Sequence, residues 1–169
     1  AYAMDRRGEH HDEMWDEKDG FFYDLLRLPD GQAMRLKVRS LVGLLPLCAS
    51  TVFEGDAAAR LPKLMELIAQ FRKRHPELVS QVAPRDGSFI GHRDRRLLSI
   101  LNKSKLERVL GYLLDEDEFL GPHGIRSLSR YHLEHPFVFH VGGQEYTVQY
   151  LPAESNTGMF GGNSNWRGP

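Results

Sequence analysis

Leu41-Val42-Gly43-Leu44-Leu45-Pro46-Leu47-Cys48-Ala49-Ser50-Thr51-Val52-Phe53 is apolar on nearly every side of a helical wheel. A run with so little polar face reads as a helix buried on most sides. Ser40 is placed to cap it. Pro46 interrupts it, and either kinks the helix or sets its first turn near Leu45. A buried helix in this place makes the expected fold class mainly α, with β-hairpin insertions.

On its N-terminal side, residues 20–39 read as one such hairpin. Phe21, Phe22 and Tyr23 favour a strand, and Pro29-Asp30-Gly31 is turn chemistry. Met34-Arg35-Leu36-Lys37-Val38-Arg39 alternates apolar and cationic, as a half-buried strand does. Arg35, Lys37 and Arg39 would then form its wet face. The preceding residues 1–16 are polar and read as the end of a helix and a connection.

On the C-terminal side, Asp56 is an N-cap candidate. Leu61, Leu64, Met65, Ile68 and Phe71 follow at helical spacing. Arg72-Lys73-Arg74 closes that helix, where cations complement the dipole. Residues 77–101 read as loop, with a short strand at 88–91. Ser104-Lys105-Leu106-Glu107 matches a capping box, and Leu106, Val109, Leu110, Leu113 and Leu114 give its helix an apolar face. Asp115-Glu116-Asp117-Glu118 reads as an exposed acidic turn. A second hairpin turns at Gly142-Gly143 between 137–139 and 146–150.

The chain has 169 residues, 41% of them apolar, 27% charged, with a net charge of −1. Such composition fits a globular domain and offers no basic field for nucleic acid or an anionic membrane. No apolar run reaches membrane-spanning length. Cys48 is the one cysteine, so no intrachain disulfide can form. It reads as a small core residue, and the expected compartment is the cytoplasm. His123, His132, His135 and His140 cluster, but His132 and His135 miss the helical spacing of a metal pair. The sequence carries no nucleophile elbow, P-loop or dinucleotide fingerprint, and neither a metal nor a cofactor is expected.

The last sixteen residues, 154–169, combine four glycines with Asn156, Asn163 and Asn165, and end on Trp166-Arg167-Gly168-Pro169. Amide groups that both donate and accept, a flat indole and a guanidinium fork suit a ligand with many hydroxyls. Phe160, Trp166 and Arg167 distinguish the stretch from a linker. Both chain ends read as cuts within a longer protein.

Four stretches resemble glycoside hydrolase family 63. They are Trp15-Asp16-Glu17-Lys18-Asp19-Gly20-Phe21-Phe22-Tyr23-Asp24, the run 37–47, Gly124-Ile125-Arg126-Ser127-Leu128-Ser129, and 161–169, ending in Asn165-Trp166-Arg167-Gly168-Pro169. The likeness is to the bacterial branch, which is similar to mannosylglycerate hydrolase and processing α-glucosidase.

The resemblance implies that residues 1–169 are an incomplete segment of one catalytic domain, part of an (α/α)6 barrel. It implies inverting hydrolysis of an α-glycosidic bond in an oligosaccharide or small glycoside. Asn165, Trp166 and Arg167 would line the sugar pocket, with Arg126 as a further contact. Inversion needs two carboxyl groups about 6.5–9.5 Å apart. The family's acid and base match no position here, so both are expected outside the segment. The partner would be the remainder of the domain, and the segment alone would be inactive. Two alternatives are a non-catalytic carbohydrate-binding or interaction module and a trehalase- or debranching-type barrel.

Overall fold

Pro46 has no N–H to donate, and its ring clashes with the carbonyl four residues earlier, so an α-helix cannot run through it. In the computed structural model, which describes residues 13–76 and 91–151, Leu41–Ala49 is a 3-10 stretch. Ser50–Phe53 then continues as a strand, where β-branched Thr51 and Val52 fit. The long buried helix expected over 41–53 does not form. Ser40 makes no side-chain cap there; it bridges to Leu128 instead.

This overturns the mainly α expectation. The described residues hold three α-helices: α1 (Ala57–Arg60), α2 (Pro62–Arg74) and α3 (Lys103–Leu114). Around them run ten short strands, each paired antiparallel with one other. β1 (Trp15–Asp16) pairs with β2 (Phe21–Phe22), and β3 (Asp24–Arg27) with β4 (Ala33–Leu36). β5 (Ser50–Phe53) pairs with β6 (Arg96–Ser99), and β7 (Leu120–Gly121) with β8 (Gly124–Ile125). β9 (Phe137–Val141) pairs with β10 (Gln144–Val148). An (α/α)6 barrel segment requires inner and outer helices packed in pairs. Here α2 buries none of its residues, and α3 packs on aromatic strands and the 3-10 stretch.

The core is small and aromatic. Phe21, fully buried, stacks on Phe119 at 5.8 Å and meets Tyr112 edge-on at 5.1 Å. Trp15, Phe22, Tyr23, Leu44, Leu101 and Val109 complete it. Gly43 lies against this centre: a Cβ added there would fall 2.3 Å from the Phe21 ring and 2.5 Å from the Phe22 carbonyl. Only glycine admits so close an approach.

Local signals fared better. α3 forms and ends as its periodicity predicts, but it starts two residues early: its cap is Asn102, which accepts from the Lys105 N–H at 2.9 Å, rather than Ser104. The second hairpin forms with Gly142 and Gly143 at φ 59° and 76°, the left-handed pair that a two-residue turn demands. The first hairpin is shorter than expected, because Phe21–Phe22 turns back onto Trp15–Asp16 instead. Residues 96–99 form a strand where a loop was expected, and the strand expected at 88–91 lies outside the described residues up to Gly91, which is not in a strand. Cys48 is exposed rather than in the core. Among the described residues, no helix is long and apolar enough to cross a membrane.

Candidate functional site

The row Arg35, Lys37, Arg39 is more than a wet face: Lys37 is exposed, while Arg35 and Arg39 are half-buried. Each cation meets a carboxylate contributed by another part of the chain. Arg35 reaches Asp16 at 3.5 Å, and Lys37 lies 3.0 Å from both Asp16 and Asp19. Asp16 is buried, which by itself would raise its pKa. The Asp19 N–H at 2.9 Å, Lys37 and Arg35 outweigh burial and hold it below 3.8. The same two carboxylates raise the Lys37 pKa. Tyr23 donates to Asp19 at 3.0 Å, and its burial keeps the phenol protonated well above its usual range.

Arg39 is the centre of a second, deeper cluster. Its guanidinium pairs with Glu118 and lies 3.9 Å from the Tyr131 ring centroid and 5.1 Å from that of Tyr112. Glu118 also accepts from the Ser129 hydroxyl, so both of its oxygens are held. Burial raises the Glu118 pKa, against the opposing pull of Ser129 and Arg39. The Arg39 N–H donates to His132 Nε2 at 2.9 Å, while His132 Nδ1 lies 2.8 Å from the His135 carbonyl. Leu41 N–H to Ser127 O and Ser129 N–H to Arg39 O, each 2.9 Å, stitch the same two segments by backbone.

Beside this cluster opens a hollow of about 380 Å³, lined by Asp115, Asp117, Glu118, Arg130, Tyr131 and His135, among others. It has the polar groups of a hydroxyl-binding surface but lacks a free aromatic platform. One side of Tyr131 meets Arg39, and its ring also stacks on His135 at 4.2 Å and 7°. Arg130 is engaged with Asp117 at 3.0 Å.

The residues expected to touch sugar fall into two groups. Asn165, Trp166 and Arg167 lie outside the described residues. Arg126 is buried, and its Nη1 donates to the carbonyls of Glu116, Glu118 and Leu120 at 2.7, 3.2 and 2.7 Å. It holds the acidic turn in shape. The expected exposed acidic turn is half right: Asp115, Glu116 and Asp117 are exposed, while Glu118 turns inward. Sequence reading missed the Arg39–Glu118–Ser129–His132 cluster. Its one visible signal was three cations at period two in a chain of net charge −1, which calls for carboxylate partners. No group of three or more metal-ligating side chains occurs among the described residues.

No family model matches the chain, and no solved structure does. The chain is 45% identical over 174 aligned residues to "Uncharacterized protein YMR196W" of Saccharomyces cerevisiae. That alignment covers 99% of this chain and 16% of the yeast protein, so the chain spans about one sixth of that relative's length.

Proposed function

We propose that this chain is one segment of a glycoside hydrolase that cleaves α-glycosidic bonds with inversion. One observation supports it above all. Three of the four stretches that carry the resemblance, 15–24, 37–47 and 124–129, converge on a single folded unit. Gly43 packs on Phe21, Ser40 bridges to Leu128, and Arg39 and Ser129 share Glu118.

In this proposal the described unit is scaffold. Asp16 and Glu118, its two least exposed carboxylates with shifted pKa values, have every oxygen engaged by a cation or a donor. Neither is free to protonate a leaving oxygen or to activate water. The acid and base belong to the rest of the longer polypeptide. Asn165, Trp166 and Arg167 read the sugar hydroxyls, while Arg126 holds the acidic turn at 116–120 in shape.

The test uses the full-length polypeptide with aryl α-glucosides and α-mannosides, following the first-formed anomer by NMR. The β-anomer is the expected product. Failure to hydrolyse any α-glycoside would overturn the proposal, and an α-anomer would overturn inversion. Trp166→Ala should lower kcat/KM by more than about tenfold, a loss of more than about 1.4 kcal/mol of transition-state stabilisation, with unchanged melting.

A further inference from the structure

We infer that His132 is a proton-operated latch: neutral, it ties the loop and hairpin of residues 129–151 onto the segment at Arg39, and charged, it releases them. This holds whatever bond the protein cleaves.

The two ring nitrogens have opposite duties. Nδ1 faces the His135 carbonyl at 2.8 Å, and a carbonyl only accepts, so Nδ1 carries the proton. Nε2 receives the Arg39 backbone N–H at 2.9 Å, so it must present a lone pair. The residue is only 1% exposed, so water does not take over either bond. A proton taken from solvent onto Nε2 sets donor against donor, and the Arg39 bond is lost.

Apart from the His135 carbonyl, the surroundings oppose the new charge. Arg39 is already cationic, and the His135 ring, stacked on Tyr131, adds no negative charge. The carboxylate of the cluster, Glu118, is taken by Arg39 and Ser129. Tyr131 meets the His132 ring edge-on at 5.4 Å. Burial, with Arg39 and His135, holds the His132 pKa below 6.5, against the bond to the His135 carbonyl.

The sign follows from linkage. The unfolded chain takes the proton more readily than the folded one. The latch is therefore intact above about pH 6.5 and weakens as pH falls below it, by up to about tenfold per pH unit until the folded pKa is reached. What is released is defined by the bonds that converge on this residue. Its own N–H reaches Ser129 O at 3.1 Å, and its carbonyl receives the Tyr150 N–H at 3.2 Å. Tyr150 lies just past the end of β10, so the hairpin is held through the same point.

Hydrogen exchange on the full-length protein, corrected for intrinsic rates, tests this. Between about pH 7.5 and about pH 5, peptides holding Arg39, His132 and Tyr150 should gain about tenfold or more in exchange, while α3 stays protected. His132→Gln supplies an acceptor for Arg39 and a donor for His135 but does not titrate. It should abolish the acid response and keep neutral-pH protection. Equal protection at both pH values in the wild type would overturn the latch, as would an undiminished acid response in the variant. Should His132→Gln fail to fold, deuterium exchange at the imidazole Cε1–H of the wild type reads the pKa directly. A midpoint at or above 6.5 would then refute it.

Discussion

At the scale of single residues, the packing is decided by what cannot be there. Gly43 has no Cβ, and that lets the 3-10 stretch lie on the Phe21 ring and the Phe22 carbonyl. The ring could shift a little; the backbone oxygen cannot. Gly43→Ala should therefore destabilise by about 1–3 kcal/mol, the usual range for overpacking a core. Urea denaturation would check it, and an unchanged midpoint would show that the 3-10 stretch sits farther out. His132 is the polar counterpart. Its tautomer is set by two backbone groups, the nearby His135 carbonyl and the distant Arg39 N–H, so it reports on a tertiary contact.

At the scale of elements, α3 separates two readings of one sequence. Ser104-Lys105-Leu106-Glu107 has the pattern of a capping box, yet the chain enters the helix two residues earlier. Asn102 Oδ1 receives the Lys105 N–H at 2.9 Å. Asn102→Ala should cost about 1 kcal/mol, whereas Ser104→Ala, on an exposed position inside the helix, should stay within about 0.5 kcal/mol. Thermal melts of the two variants would decide between the caps, and the reverse order would restore the capping box. The misreading has a physical origin. Asn and Ser both cap well, and only the turn of backbone at 101–103 chooses between them.

At the scale of the whole molecule, the apolar surface is divided unevenly. The aromatic centre at Phe21 is fully closed, while Leu67 on α2 is 62% exposed. Phe21→Ala should cost about 3–5 kcal/mol. Leu67→Ser, measured alongside it by the same denaturation, should stay within about 0.5 kcal/mol in this chain. Comparable losses would mean that α2 belongs to the core. The helix itself was legible from its spacing, but whether its stripe finds a partner was not, because periodicity specifies a face and says nothing of what covers it. The same holds for the cations at 35, 37 and 39, which alternate as a wet edge would and yet meet Asp16, Asp19 and Glu118. Nor could the site be read locally: the Arg39 contacts to Glu118 and His132 span 79 and 93 positions. What the sequence determined by itself was the set of structures closed within a few residues. These are the Pro29-Asp30-Gly31 turn, the glycine pair of the second hairpin and the periodic face of α3, where backbone sterics and side-chain spacing act locally. For residues 41–53 the sequence barred a continuous α-helix at Pro46, and tertiary structure decided what took its place. Their apolar character is satisfied equally by a buried helix or by a 3-10 stretch and a strand. The choice fell to the proline in their midst and to pairing with Arg96–Ser99, whose register no local pattern contains.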